Sequence, residues 1–261
     1  MTTTGIDIGF PLIVGTDLYP MEKLGACRSE DGTARGTVVP LQECAFEGGE
    51  LIRTVAANGY EAWRFFARHT SLGKVSLTSL DVTYLESYKH IVEEAPLPAD
   101  ILRERGSDKY RAVVCHVDVP PAGRIQPADL QAALENAQPG DALLVDAGSY
   151  TDRCLKAGGG VIDNDDYNVQ SPFFADDSMR AIMDAGIDLL AGNFPSYSDP
   201  EGGTGIAMLK LFWQSPGRLI MAPLLNLGDI KDNVVKLKVN PWPVECRTCG
   251  LPSTPVVGPA E

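Results

Sequence analysis

The hydrophobic and polar positions in the middle of the chain alternate between short apolar runs and amphipathic stretches. Residues 110–119 form a mostly apolar run that ends at a Pro-Pro pair, which is typical of a buried strand. Residues 126–136 have Pro and Asp in the first turn and carry Leu and Ala on one face, a pattern that predicts a helix. A second apolar run, residues 142–146, predicts another buried strand.

The same alternation continues towards the C-terminus. Residues 176–185 predict a helix that ends at Gly186, and residues 187–191 predict the strand that follows it. Residues 234–239 predict a late strand. Strands that alternate with helices of this length indicate an α/β fold, in which helices cover a parallel or mixed sheet. Because the sequence contains neither an internal repeat nor a low-complexity linker, residues 1–261 are predicted to form a single domain.

The first third of the chain gives a less regular pattern. Residues 5–19 mix β-forming residues with Gly and Pro and predict a strand that leads into a loop. Residues 50–69 carry apolar residues at roughly helical intervals, which predicts a helix with a break at Asn58-Gly59. Residues 75–84 are rich in Val, Leu, Thr and Ser and predict a strand.

Length, composition and net charge limit the kinds of partner and the location that we expect for this protein. With 261 residues, 44% of them hydrophobic, the chain can bury a substantial core. Its formal net charge of −13 repels phosphate backbones and anionic lipids, so we expect neither nucleic acid nor a membrane as a partner. No apolar run approaches the roughly 20 residues of a bilayer span. Residues 1–9 lack the basic residue of a signal peptide, so a cytoplasmic location is expected.

Three segments in the second half of the chain carry a family resemblance: Ser171-Pro-Phe-Phe-Ala-Asp-Asp-Ser, Ala185-Gly-Ile-Asp-Leu-Leu-Ala-Gly-Asn-Phe-Pro-Ser196 and Ala222-Pro-Leu-Leu-Asn-Leu227. Together with the order of elements, they resemble the cyclase family, which includes kynurenine formamidases, isatin hydrolases and proteins attached to antibiotic gene clusters. The resemblance covers residues 112–257. It implies the swivelling β/β/α cyclase-like fold, a mixed sheet covered by helices, and assembly as a homodimer or homotetramer.

The defining motif of that family, HxGTHxDxPxH, is mostly replaced in this chain. In the family the first two His and the Asp ligate a metal, and the last His acts as an acid or base. Without gaps the motif places Leu80 and Tyr84 at the two ligating His positions and Glu86 at the Asp position. Only Thr83 and His90 match the motif.

The departure extends to the second half of the family's metal site. Ala222 stands where the family has a ligating Glu, and the chain contains no His between Asp199 and Ala222. Sites for Zn²⁺ and Mn²⁺ need three or four converging ligands. The resemblance therefore implies that the metal has been lost, and we predict neither a metal nor another cofactor.

The matched positions retain an imidazole, a carboxylate and a phenol. This combination suits proton transfer and enolate stabilisation rather than the generation of hydroxide, for which a metal lowers the pKa of bound water. We predict that His90 moves a proton, that Glu86 orients His90 or acts as a second base, and that Tyr84 donates a hydrogen bond to a developing oxyanion. The alternatives are packing of Tyr84 and Tyr88 at a strand end, and a surface position for His90.

Four further residues lie at strand ends or in loops that line the pocket in the family: Tyr19, Tyr150, Asn193 and Ser196. The resemblance implies that they contact a small-molecule substrate.

Other polar residues are interpreted as structural. Cys115 and His116 are neighbours on a predicted strand, so they face opposite sides and cannot act as nucleophile and base. His69 closes a predicted helix, where a cation suits the C-terminal end of the dipole. Cys246 and Cys249 have CxxC spacing, but a closed zinc site needs four ligands, and no second pair exists in the sequence.

These observations predict a metal-independent cyclase or dehydratase. It would act by acid–base catalysis on a polyketide-like or other carbonyl-rich small molecule of secondary metabolism. One alternative is a metal-dependent hydrolase of amides, lactones or isatin-like rings, similar to kynurenine formamidase. A second alternative, from another class, is a non-catalytic relative that binds a small molecule or supports a partner enzyme.

Overall fold

The structure is a computed structural model, and its described part includes most of the chain from residue 82 onwards. The described residues are 5–9, 36–40, 50–55, 61–69, 73–78, 82–92, 94–148, 150–157, 167, 170–195, 197, 211–215, 217–242 and 250–260.

Fifteen strands are present in the described ranges. They are β1 (Ile6–Asp7), β2 (Gly36–Pro40), β3 (Glu50–Val55), β4 (Glu61–His69), β5 (Gly73–Thr78), β6 (Tyr84–Glu86), β7 (Lys109–His116), β8 (Arg124–Ile125), β9 (Ala142–Asp146), β10 (Phe173–Phe174), β11 (Leu189–Gly192), β12 (Leu219–Ala222), β13 (Val234–Lys238), β14 (Gly250–Pro252) and β15 (Val256–Pro259). Nine of them form one sheet in the order β1-β15-β13-β7-β9-β11-β12-β6-β14.

The large sheet is mixed, as predicted. Its centre, β7-β9-β11-β12, is parallel, and the flanking strands pair antiparallel. Every residue of β9, β11 and β12 is buried, which explains why these strands are continuous apolar runs rather than alternating patterns. The α/β fold class is thereby confirmed.

The helices whose bounds lie within the described residues are α1 (Pro98–Arg105), α2 (Pro127–Leu134), α3 (Tyr150–Ala157) and α4 (Asp176–Asp184), and they lie beside the sheet. Short 3-10 turns occur at Tyr88–His90 and Leu227–Asp229. Gly186 follows α4 with φ of 76°, a left-handed conformation that glycine adopts without strain, so its predicted role as the helix stop is confirmed. Over the described ranges, no helix has both the length and the apolar character needed to span a membrane.

The large sheet separates two hydrophobic cores. One core, which we call the aromatic core, contains Tyr84, Tyr150, Phe194, Tyr197 and Trp213 together with residues of α2 and α4. The other, the aliphatic core, is built mainly from Ile, Leu and Val side chains of the strands and from α1. Because successive strand residues point to opposite faces, the central strands β7, β9, β11 and β12 contribute alternately to the two cores.

The prediction of a helix over residues 50–69 is wrong. This segment contains β3 and β4, which pair antiparallel in a four-stranded sheet of order β2-β3-β4-β5. Its Val, Ile, Thr, Trp and Phe residues favour strands, and apolar spacing alone distinguishes poorly between a short helix and a strand. Since His69 ends a strand, the helix-dipole interpretation of His69 is also wrong.

Other predictions in the first half are confirmed only in part. The strand predicted over residues 75–84 is represented by two strands, β5 and β6, and residues 79–81 between them lie outside the described ranges. Of the predicted strand in residues 5–19, the structure describes β1, and the predicted loop after it lies outside the described residues. In contrast, α2, β9, β11 and β13 each fall at or within about two residues of their predicted positions, and β7 ends three residues before its predicted end.

Candidate active site

Strand β6 and the 3-10 turn after it carry the three predicted catalytic residues. Strand β6 lies between β12 and β14, where Tyr84 pairs with Ala222 and Glu86 pairs with Ile220. Strand alternation puts Tyr84 and Glu86 on the aromatic-core face, and Leu85 packs into the aliphatic core. The side chains of Tyr84 and Glu86 therefore start from one face of one buried strand.

The 3-10 turn brings His90 back against Glu86. The backbone N–H of His90 donates to the carbonyl of Ser87 at 3.0 Å. The Ser87 hydroxyl accepts from the backbone N–H of Lys89 and donates to the carbonyl of Pro96 at 2.8 Å. Because of this turn, His90 can reach the carboxylate of Glu86, four positions before it in the sequence.

Glu86 and His90 form a buried acid–base pair. Nδ1 of His90 lies 2.6 Å from Oε1 of Glu86, and the two residues are only 6% and 3% exposed. A carboxylate accepts hydrogen bonds, so Nδ1 carries the proton and donates it. This bond favours the imidazole tautomer that carries its proton on Nδ1. Burial in a medium of low dielectric strengthens the interaction between the two groups.

Thr83, the other residue that matches the family motif, holds the strands in register. Its hydroxyl donates to the carbonyl of Pro223 at 2.5 Å, and its carbonyl accepts from the backbone N–H of Ser253 at 2.8 Å. Thr83 therefore joins β6 to the ends of both neighbouring strands. These two bonds fix the strand that carries Tyr84 and Glu86.

Trp213 packs beside the pair, and the sequence reasoning missed it. Its ring centroid lies 5.8 Å from that of His90, with the ring planes inclined by 31°. Trp213 lies among residues 211–213, which are helical and precede β12. Its sequence neighbourhood matches no part of the motif, so only the fold reveals this contact.

Of the predicted substrate-binding residues, Tyr150 and Asn193 lie within the described ranges, and Tyr19 and Ser196 lie outside them. Tyr150 belongs to the aromatic core, as Tyr84 does, and its hydroxyl donates to the carbonyl of Tyr167 at 2.9 Å. Substrate contact by these four residues stays a prediction.

Asn193 belongs to a hydrogen-bond network at the carboxyl ends of the parallel strands. Its Nδ2 donates to Oδ1 of Asp146 at 2.7 Å, and its Oδ1 accepts from the backbone N–H of Ala147 at 2.8 Å. The other carboxylate oxygen of Asp146, Oδ2, lies 2.8 Å from Nδ1 of His116. Asn193 is only 1% exposed, so this geometry fits a residue that positions Asp146.

His116 and Cys115 point to opposite faces of the sheet, as their adjacency predicts. The imidazole of His116 is 46% exposed and bonded to Asp146, whereas Cys115 packs in the aromatic core. Burial raises the pKa of the Cys115 thiol to about 11, so the thiol stays protonated near neutral pH. Cys115 is thus no nucleophile for this site. Cys246 and Cys249 lie outside the described residues.

The side chains of the site do not fit the metal that members of the resembled family bind. Within the described ranges, no three His, Cys, Asp or Glu side chains are grouped so that they could hold an ion. Glu86 is bonded to His90, and the facing positions on β6 and β12 carry a phenol and a methyl group. Three or four converging ligands are the minimum for a stable Zn²⁺ site.

Comparison with known proteins supports the fold. No protein-family model matches the chain, and no curated protein matches it in sequence. Solved structures do match. A potential metal-dependent hydrolase with cyclase activity has a TM-score of 0.56 at 15% identity, covering 97% of this chain and 96% of its own. Isatin hydrolase A from Labrenzia aggregata has a TM-score of 0.59 at 12% identity, covering 99% and 94%.

A third structure, described as a novel cyclase, has a TM-score of 0.57 at 13% identity, covering 99% of this chain and 89% of its own. These identities are low, and likeness at this level shows the fold alone. The fold that the resemblance implied is confirmed. The chain therefore has the cyclase-like α/β fold shared by these hydrolase and cyclase structures, with a divergent set of side chains at the motif positions.

Proposed function

We propose that this protein is an enzyme that uses Glu86 and His90 as a metal-independent acid–base pair on a carbonyl-rich small molecule. The observation that supports the proposal is the 2.6 Å bond between Glu86 Oε1 and His90 Nδ1 in a buried position. A buried carboxylate that orients an imidazole stabilises the imidazolium formed when the ring takes up a proton. The pair is thus suited to repeated proton transfer.

The proposed reaction is an intramolecular aldol condensation or a related dehydration. Nε2 of His90 removes a proton from a carbon next to a carbonyl, and the electron pair of that C–H bond forms an enolate. The enolate carbon bonds to a second carbonyl carbon, and the imidazolium returns its proton to the alkoxide so formed. In the dehydration, Nε2 removes a second proton from the carbon between the carbonyl and the carbon that bears the hydroxyl. The electron pair of that C–H bond forms the C=C bond, and the proton is returned to the departing hydroxyl, which leaves as water. All protons are supplied within the site, so no external reactant is needed.

Tyr84 is the proposed donor to the enolate oxygen. It precedes Glu86 by two positions on the same strand face, so the two Cα atoms lie about 6–7 Å apart. A substrate carbonyl that lies between the phenol and the imidazole would receive a hydrogen bond as its charge develops, which lowers the barrier.

A hydrolase of cyclic amides or lactones is the second candidate. It is favoured by the structural likeness to isatin hydrolase A and to a potential metal-dependent hydrolase. Such a reaction would require metal ligands from residues outside the described ranges. The third candidate is a non-catalytic binding protein. Elemental analysis of protein purified without added metal separates the hydrolase from the other two candidates, because stoichiometric Zn²⁺ or Mn²⁺ favours the hydrolase.

Turnover of Glu86→Gln and His90→Gln variants tests the proposal. With a panel of 1,3-diketones and polyketones as substrates, each variant should lose about 10²- to 10⁴-fold in kcat, the usual contribution of general acid–base catalysis. The matched control is His116→Gln, the same substitution at a histidine on the opposite face of the sheet. Full turnover in both Glu86→Gln and His90→Gln would show that the assignment is wrong.

We further propose a small-molecule substrate, a cytoplasmic location and a homodimeric or homotetrameric assembly. The polyketide-like substrate and the place in secondary metabolism likewise remain parts of this proposal. Size-exclusion chromatography with light scattering tests the assembly directly.

A further inference from the structure

Trp213 has a buried polar atom that lacks a hydrogen bond. The residue is 1% exposed, and among the described residues its Nε1 has no hydrogen-bond partner. An indole nitrogen is a donor only, and buried indole N–H groups usually find an acceptor. An indole N–H that is buried without an acceptor loses its hydrogen bond to water and gains none in return. An unpaired N–H in a core therefore requires an explanation.

The polar aromatic atoms around Trp213 are paired. In the same aromatic core, the hydroxyl of Tyr150 donates to the Tyr167 carbonyl, and the hydroxyl of Tyr197 donates to the Met221 carbonyl at 2.6 Å. The general packing of this core therefore does not prevent pairing. The exception is the residue that lies beside the Glu86–His90 pair.

Two other buried polar atoms lack partners in the described part of the chain, and neither lies against that pair. The hydroxyl of Tyr110 is in the aliphatic core, on the opposite face of the sheet. Nε of Arg218 belongs to a guanidinium whose other two nitrogens donate to the carbonyls of Phe212 and Met183. Trp213 alone of the three packs against a candidate catalytic residue.

Packing and hydrogen bonds fix the position of Trp213 relative to the Glu86–His90 pair. The indole ring centroid lies 5.8 Å from the imidazole centroid of His90, a distance at which two aromatic rings pack against each other. The guanidinium of Arg218 donates to the carbonyl of Phe212 at 3.1 Å and so holds the helical segment of Trp213 against the start of β12. Strand β12 in turn pairs with β6, which carries Glu86.

We infer that the indole N–H of Trp213 binds a carbonyl oxygen of the substrate next to His90. The inference rests on the proposed function and adds a requirement to it: the substrate must present a hydrogen-bond acceptor at this point. A ketone, ester or amide oxygen meets the requirement, whereas an ammonium or another donor group does not. A donor fixed in a dry core binds the oxygen more strongly as negative charge develops on it.

The indole N–H resonances of the full-length protein test this inference without a known substrate. The chain has three Trp residues, so the spectrum contains three indole N–H signals, and Trp213→Phe identifies one by its loss. The probe is pentane-2,4-dione, a small 1,3-diketone. We expect the Trp213 signal to move downfield as the diketone is added, because its proton gains an acceptor.

The matched control is Trp242→Phe, which should keep this shift. If Trp213→Phe does not fold, Trp63→Phe and Trp242→Phe assign the same signal by elimination.

The kinetic counterpart uses the same panel of polyketones. Removal of one donor to a developing oxyanion lowers kcat by about 10²- to 10³-fold, and we expect Trp213→Phe to show a loss in this range. A Trp213 signal that does not respond to the diketone, or full kcat in Trp213→Phe, overturns the inference. Loss of turnover in Glu86→Gln and His90→Gln would still support the proposed function in that case, so the two failures are distinguishable.

Discussion

Tyr84 on β6 and Ala222 on β12 pair directly across two antiparallel strands, although they come from opposite halves of the sequence. The preceding residue, Thr83, donates a hydrogen bond to Pro223, the residue after Ala222. The family resemblance assigns the second His ligand to the first position and the Glu ligand to the second. The two assignments were made independently from the sequence, and the two residues are adjacent in the fold. This proximity supports both assignments.

This pairing predicts that a metal site can be introduced. Paired residues on antiparallel strands have Cβ atoms about 4.5–5.5 Å apart, so Tyr84→His with Ala222→Glu places two ligands beside Glu86. Three converging donors suffice for Zn²⁺ with water as the fourth. We expect the double variant to bind about one Zn²⁺ per chain by elemental analysis and to melt at higher temperature when Zn²⁺ is added.

The single variant Ala222→Glu is the control for that experiment. It has too few donors and should bind no stoichiometric Zn²⁺. A double variant that folds but binds no Zn²⁺ would show that the motif register is wrong.

Asn193 is predicted to act on stability more than on substrate affinity. Asn193→Ala removes the partners of the Asp146 carboxylate and the Ala147 N–H, both in a buried region. Unsatisfied buried groups cost about 1–3 kcal/mol, so we expect the free energy of unfolding in urea to fall by that amount. Asn136→Ala, at an exposed helix end, is the matched control and should change it by less than about 0.5 kcal/mol. Unchanged stability with a raised KM would instead favour direct substrate contact.

The stability of the protein should fall in alkaline solution. Burial raises the pKa of Cys115 from 9.0 to about 11, and that of Tyr110 from 10.0 to about 12. Between pH 9 and 11 the unfolded thiol has lost its proton and the folded thiol keeps it, so the native state binds more protons. The free energy of unfolding therefore decreases as pH rises through this range.

Urea denaturation at a series of pH values measures this effect. A difference of two pKa units corresponds to roughly 2–3 kcal/mol for Cys115. Cys115→Ala should flatten the curve between pH 9 and 11, whereas Cys154→Ala, at a half-buried position, serves as the control. An equal slope in wild type and Cys115→Ala would contradict the assignment.

Gly186 should be sensitive to substitution. Its φ is 76°, and a Cβ there would lie 3.0 Å from the Cα of Pro139. Both the left-handed backbone and the close contact disfavour alanine, so Gly186→Ala should destabilise the protein by about 1–2 kcal/mol in thermal or urea unfolding. Gly258→Ala is the control, because no atom lies within 4 Å of its Cβ position. Equal stability of the two variants would argue against the left-handed turn.

Much of the second half could be predicted from local pattern alone. The apolar run of β9, the first turn of α2 and the stop at Gly186 each depend on a few neighbouring residues. The same reasoning failed over residues 50–69, where apolar spacing suggested a helix and the chain forms a hairpin with its neighbours. Strand pairing depends on contacts with other segments of the chain. The hydrophobic periodicity of one segment carries no information about those contacts.

The sequence by itself indicated the α/β class and, through the family resemblance, predicted that the metal ligands are replaced and that Glu86, His90 and Tyr84 are the candidate reactive groups. Only the tertiary structure decided how these groups are arranged: the 3-10 turn that closes His90 onto Glu86, the pairing of Tyr84 with Ala222, and the packing of Trp213 beside the imidazole. The physical reason is that residue types and local periods are written along the chain. The distances that make a site are instead set by strand register and by the packing of segments remote in sequence.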